Sequence, residues 1–232
     1  HVRFASEAVC IGGAPSKDSY LRPDRLIAAA EVTGADAIHP GYGFLAESAH
    51  FSAICEDHDI KFIGPASDTI SAMGDKSYAR RTMESAGVPT VPGSEDEVAN
   101  PTEAAEIAEA IGYPVMLKAS AGGGGRGMRI AHDGSELEKM FNAASSEAKA
   151  AFDSGALYVE KFVQQPRHVE IQVMGDGKGE VFHLGERDCT IQRRHQKLVE
   201  EAPSPIVDEA LRQQMGEAAI QAAEAVDYEG AG

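Results

Sequence analysis

The sequence predicts a chain of mixed class, α/β at its start and α+β over the remainder. Three observations carry this. Apolar residues recur at helical spacing in DRLIAAAEVT (24–33) and again in ESAHFSAICEDH (47–58). Each of these stretches leads into a short apolar run, ADAIHP and then IKFIG, as strands joined by helices do in a parallel sheet. Later apolar runs are joined by tight turns instead, the strongest being GDGKG at 175–179, and strands joined that way pair antiparallel.

The elements follow in order. Gly34 stops the first helix, and the strand at 60–64 ends in Gly-Pro. Two helices are expected over Ser67–Met73 and Asp75–Ala86, the second capped by Asp75 and closed by Gly87. Val88–Gly93, with two prolines, reads as a connector. Then come a helix over Thr102–Ile111, a strand over Pro114–Ser120, a glycine run, a strand over Met128–His132 and a long helix over Ser135–Phe152. Strands Leu157–Val163 and Arg167–Met174 lead into the GDGKG turn, and Glu180–Asp188 answers across it. A polar loop, a helix over Asp208–Val226 and a closing loop, Tyr228–Gly232, complete the prediction. The first residue is not methionine, and Val9–Ile11 reads as a strand end, so both termini are expected to be cut edges of a longer protein.

Composition narrows the function classes. In 232 residues, 43% apolar and 25% charged content suits an ordinary globular core. A formal charge of -16 opposes nonspecific attraction to nucleic acid or an anionic membrane, so neither is expected as a partner. No apolar run approaches the roughly 20 residues a spanning helix needs, and HVRFASEAVC lacks the regions of a signal peptide. Cys10, Cys55 and Cys189 are odd in number and widely spaced, against a disulfide framework or a CxxC metal site. A cytoplasmic location is expected.

The sharpest chemical signal is Lys118-Ala-Ser-Ala-Gly-Gly-Gly-Gly-Arg126-Gly-Met128. Consecutive glycines between two strands cost backbone entropy, which suits a main chain that must approach something closely. A phosphate is the obvious candidate: unhindered N–H groups wrap its oxygens while Lys118 and Arg126 supply positive charge. It is not a Walker A loop, where lysine follows the glycines and a helix comes next, nor a GxGxxG fingerprint. A flexible hairpin loop is the alternative, but an idle hairpin does not require cations framing its glycines.

Three further stretches are weaker signals. In LYVEKFV, Glu160 and Lys161 are either a surface ion pair or, with Phe162 and Val163, part of an edge whose backbone could read an adenine. Alternation in RHVEIQVM puts His168, Glu170 and Gln172 on one face, to serve a ribose or phosphate or simply to meet solvent. RDCTIQRRHQK gathers Arg187, Arg193, Arg194, His195 and Lys197, which suggests an anion site, with Glu200 and Glu201 as possible internal partners. Cys189 beside these cations is a candidate for a lowered thiol pKa, although a lone cysteine at a strand end ordinarily packs.

The segments AIHPGYGFLAES, FIGP, MGDKSYAR, AGVPTVPG, GYPVMLKASAGGGGRGM, LYVEKFV, PRHVEIQV, GERDCTIQRRHQKLVEEAP and YEGAG together resemble the biotin carboxylase family of ATP-grasp enzymes, across essentially the whole chain. The wording is most like the biotin carboxylase portion of bacterial acetyl- and propionyl-CoA carboxylase α chains. The resemblance implies a partial parallel-sheet (pre-ATP-grasp) domain over 1–73 and an incomplete ATP-grasp domain over 74–232, with a glycine-rich lid region at about 114–163. It further implies that Lys76 and Lys118 contact ATP phosphates, that Gly124 and Gly125 belong to the closing lid, and that Glu160, Lys161, Phe162 and Val163 hold the adenine. His168, Gln192 and His195 would line the nucleotide site, and Lys197 would bind bicarbonate.

The implied reaction is ATP-dependent carboxylation of biotin on a carrier domain, for onward use by a carboxyltransferase component. The implied cofactors are ATP and Mg²⁺ or Mn²⁺, with a homodimer as the intact form. The family's metal ligands, its arginine near biotin and its glutamate base would follow Gly232, so no metal ligand is expected within the chain and these 232 residues alone are expected not to turn over. The alternatives are another bicarbonate-activating ATP-grasp ligase, such as a carbamoyl phosphate synthetase, or a noncatalytic ATP-binding module. RRHQKLVEEAP argues against the first and the retained lysines against the second.

Overall fold

The computed structural model describes residues 2–120, 127–193 and 196–232. They form two compact units, one built from the stretches up to Val88 and from Val169 onward, the other from Pro89–His168.

The first stretch contains α1 (Pro23–Thr33), β1 (Ala37–Ile38), α2 (Ala49–Asp57), β2 (Lys61–Phe62), α3 (Ser67–Gly74) and α4 (Lys76–Ser85). Gly34 closes α1 with a left-handed φ of 66°. Ser48 caps α2, and Asp75 caps α4 by accepting from Ser77 and Tyr78 N–H. β1 and β2 pair in parallel, as helix-joined strands should. Ile27, Ala30, Phe51, Cys55 and Phe62 are buried together beside them.

The Pro89–His168 unit holds α5 (Pro101–Ile111), β3 (Val115–Ala119), β4 (Met128–Ala131), α6 (Gly134–Phe152) and β5 (Leu157–Lys161). Asn100 and Asp133 cap the two helices through their side-chain oxygens. The strands form an antiparallel sheet in the order β4-β3-β5. Alternation divides its faces: Val115, Leu117, Ala131, Leu157 and Val159 are buried with Ala104, Ala108, Leu137, Phe141 and Ala144 of the two helices.

The closing stretch adds β6 (Val169–Asp176), β7 (Val181–Asp188), β8 (Gln192–Arg193), β9 (Gln196–Lys197), α7 (Glu209–Glu224) and β10 (Glu229–Ala231). β6 and β7 form the expected hairpin, and Asp176 accepts from Lys178 and Glu180 N–H to shape its turn. Two readings need correcting. The polar loop contains the short antiparallel pair β8–β9, and the terminal YEGAG is a strand rather than a loop, with Gly230 opposite Gly175 on β6. Gly175 makes that pairing possible, because a Cβ there would run into the Tyr228 carbonyl.

Candidate functional site

In the Pro89–His168 unit the sheet face turned away from α5 and α6 carries the predicted phosphate lysine. Register places Met116 opposite both Ile130 and Glu160, and Lys118 opposite both Met128 and Tyr158, so these six side chains share one half-buried face. Lys118 forms an ion pair with Glu160 across it. Gly127, with φ of 68°, follows the glycine run, and a Cβ there would lie 2.9 Å from that of Ala119. Gly124 and Gly125, assigned to the lid, lie outside the described residues.

The reading of β5 as a free edge does not hold. Residues 92–98 lie along its outer side: Lys161 N–H donates to Pro92 O at 2.7 Å, and Ser94 and Val98 N–H donate to Val159 and Leu157 carbonyls, each at 2.7 Å. Phe162 N–H donates to Pro114 O at 3.0 Å. Lys161 Nζ is bound to the carbonyls of Gly112 and Tyr113 at 2.7 and 2.8 Å, so this lysine ties the strand end to the loop before β3.

In the other unit the cation cluster is organised by a residue the sequence left undecided. Glu170 on β6 faces Arg187 directly across the hairpin. Arg187 Nε donates to Glu170 Oε1 at 2.7 Å and Nη1 to Gln172 Oε1 at 2.9 Å, while Lys197 donates to Glu170 Oε2. Gln172 is held in turn by donating to Gly232 O at 2.7 Å. Burial pushes the Glu170 carboxyl up, but hydrogen bonds from Lys197 and Arg187 outweigh it and leave the group below the usual carboxylate range. The same bond raises the Lys197 ammonium. Of the acids expected to offset the cluster, Glu200 lies 3.9 Å from Arg187, and Glu201 instead exchanges backbone hydrogen bonds with Asp188.

Of the two readings of Cys189, packing agrees with the structure and a lowered thiol pKa does not. The thiol is fully buried, and burial, with the negative charge of Glu170 adding to it, pushes its pKa up despite the neighbouring Lys197. Glu170, Cys189 and Glu200 bring potential ligand atoms within 4.8 Å of one another. They do not fit magnesium, which takes oxygen ligands, because one donor is a sulfur and both Glu170 oxygens already serve cations.

A second network, unread in the sequence, fixes the loop that follows β9. Glu186 is buried and accepts from Arg212 of α7 through Nε at 2.8 Å and Nη2 at 2.9 Å, and from Ser204 N–H at 3.0 Å. Ser204 Oγ donates to Asp188 at 3.1 Å. The Arg212 hydrogen bonds outweigh burial and hold Glu186 at about 2. Period-two alternation put Glu186 on the face opposite Arg187, which was the one available signal.

The remaining predicted residues are placed as follows. Lys76 opens α4, and its side chain lies outside the described residues, as does all of His195. His168 immediately precedes β6. Gln192 lies on β8 opposite Lys197, and its Nε2 donates to Cys189 O at 2.9 Å.

The family described as "Carbamoyl-phosphate synthase L chain, ATP binding domain" matches residues 75–232, and "Biotin carboxylase, N-terminal domain" matches residues 1–70. Biotin carboxylase of Nostoc sp. is 58% identical over all 232 residues, which cover 52% of that protein. A biotin carboxylase from Campylobacter jejuni, solved as a complex with β-γ-ATP, matches with a TM-score of 0.84 at 53% identity, over 99% of this chain and 52% of that one. The biotin carboxylase domain dimer of Hydrogenobacter thermophilus 2-oxoglutarate carboxylase, in complex with MgADP, ADP and bicarbonate, matches with a TM-score of 0.81 at 50% identity, over 99% of this chain and 51% of that one. The chain thus spans about half the length of the relatives it matches. With both of its stretches matched in order, it belongs to the biotin carboxylase family and carries part of that family's ATP-grasp domain.

Proposed function

We propose that the whole protein uses ATP and bicarbonate to carboxylate biotin on a carrier domain. The observation that carries this reading is the Arg187–Glu170–Lys197 arrangement, which holds by a charged bond the lysine of RRHQK, one of the segments that resemble biotin carboxylases. Residues 1–73 are assigned to the N-terminal domain and 74–232 to the ATP-grasp domain, with about 114–163 as its lid region.

In this reading Lys76 and Lys118 neutralise the nucleotide phosphates, with Gly124 and Gly125 closing over them. Phosphate must displace Glu160 from Lys118, while Met116, Met128 and Ile130 offer the base an apolar surface next to Glu160–Val163. His168, Gln192 and His195 line the nucleotide site, and Lys197 holds bicarbonate. Attack of bicarbonate on the γ-phosphate breaks its bond to ADP, which leaves, and gives carboxyphosphate; this splits into CO₂ and phosphate, the phosphate takes the biotin N1 proton, and N1 adds to the CO₂. Magnesium, for which no described cluster fits, would supply charge neutralisation at the phosphates.

A carboxyltransferase component, a homodimeric intact enzyme and the cytoplasm complete the assignment. No described helix is long and apolar enough to cross a membrane. The test is ADP release by the full-length protein. It should require bicarbonate and rise with added biotin. Carbamoyl phosphate formation from bicarbonate and ammonia, with biotin without effect, would instead assign the protein to the carbamoyl phosphate synthetases, whose ATP-binding domain description also matches 75–232.

A further inference from the structure

Arg187 is a cation whose placed contacts are all to acceptors of its own protein. It touches the Glu170 carboxylate through Nε, the Gln172 amide oxygen through Nη1, and approaches Glu200 at 3.9 Å. Direct pairing of Glu170 with Arg187 across the β6–β7 hairpin makes this geometry a property of strand register rather than of a loop. Gln172 cannot readily turn its amide, since its Nε2 is committed to the Gly232 and Val173 carbonyls at 2.7 and 3.1 Å. The guanidinium therefore occupies Oε1 of Glu170 and leaves Oε2 as the oxygen available to Lys197. Remove it, and a carboxylate only 23% exposed has one cation to satisfy two oxygens, so it rotates or protonates and Lys197 loses its fixed partner.

We propose that Arg187 is a positioning residue for the anion step: by fixing Glu170 it sets where the Lys197 ammonium stands, without itself touching substrate. This rests on the reading that Lys197 binds bicarbonate. A role in which Arg187 only stabilises the hairpin makes a different prediction, because loss of fold would impair nucleotide and bicarbonate use alike.

The experiment is steady-state kinetics of the full-length protein, varying bicarbonate and ATP separately, for Arg187→Gln, Arg187→Lys, Glu170→Gln and the double variant Arg187→Gln/Glu170→Gln. Arg187→Gln should raise the KM for bicarbonate at least tenfold with the KM for ATP within twofold, and Arg187→Lys should recover part of the loss. The double variant should be no worse than Glu170→Gln alone, since Arg187 acts through that carboxylate. In parallel, labelling of Lys197 by an amine-reactive reagent at pH 9, read by mass spectrometry, should be faster in Arg187→Gln than in wild type. Unchanged bicarbonate KM and unchanged labelling, or losses that add in the double variant, would overturn the inference. A wild-type protein with no bicarbonate-dependent turnover would instead overturn the functional reading on which it rests, and that result appears before any variant is made.

Discussion

Lys118 on β3 and Glu160 on β5 are ion-paired diagonally across their sheet, on the face that α5 and α6 leave open. Their exposures, 37% and 27%, put the pair within reach of solvent and of an incoming anion. A nucleotide phosphate and the carboxylate then compete for one ammonium. Lys118→Met should weaken ADP binding to the full-length protein roughly 10- to 100-fold, the value of one charged hydrogen bond of about 1.5–3 kcal/mol. Glu160→Gln should tighten it about 2- to 5-fold, because a half-exposed pair of at most about 1 kcal/mol no longer has to be broken. Isothermal titration calorimetry reads both, and equal signs for the two variants would refute the competition.

The Glu186–Arg212 pair predicts a pH dependence with a defined sign. Glu186 titrates at about 2 in the folded chain against an ordinary 4.5, so its contribution to stability is complete above pH 4.5 and is lost as pH falls toward 2. Arg212→Gln leaves a buried carboxylate without its partner and should cost about 3 kcal/mol at pH 7. The variant should also lose less stability than wild type between pH 4.5 and 3. Urea unfolding at the three pH values checks both statements.

The exposed pair Lys61–Glu229 is the contrasting case. Its Nζ–Oε1 distance of 2.6 Å is shorter than any in the Glu186 network, yet the side chains are 59% and 35% exposed. Solvent screening should outweigh the good geometry, so Lys61→Met should cost less than about 1 kcal/mol, and less again in 1 M salt. A loss equal to that of Arg212→Gln would show that burial does not govern these pairs.

Gly216 lies inside α7, where alanine normally gains about 1 kcal/mol of helix propensity. Here a Cβ would collide with three ring atoms of His183 on β7. Overpacking of that kind costs about 1–3 kcal/mol where the ring cannot turn aside, so Gly216→Ala should gain nothing from its helix propensity. Chemical unfolding of the variant decides which effect prevails.

Much of this architecture was legible because it is local. Spacing and caps identified the helices, as with Asp75 and α4, and the strand–glycine–strand pattern singled out Lys118. What stayed hidden depends on distant partners. YEGAG has little strand propensity and becomes β10 only because β6 is there to receive it. Val88–Gly93 read as a connector with two prolines, and nothing in it or in the residues just after it announces that 92–98 cover β5. Glu170 was visible as a polar strand residue, but its value lies in a cross-hairpin register with Arg187 that composition does not encode.

Because Pro89–His168 is a continuous stretch lying between the two stretches of its neighbour, the order of synthesis and the order of completion differ. Every residue of the core shared by α5, α6 and their sheet has left the ribosome once His168 emerges, so that core is free to close. Thr69 must wait for the carbonyl of Val226, 157 positions later. The inner segment can therefore mature first, and the Thr69–Val226 contact of the other unit forms after it.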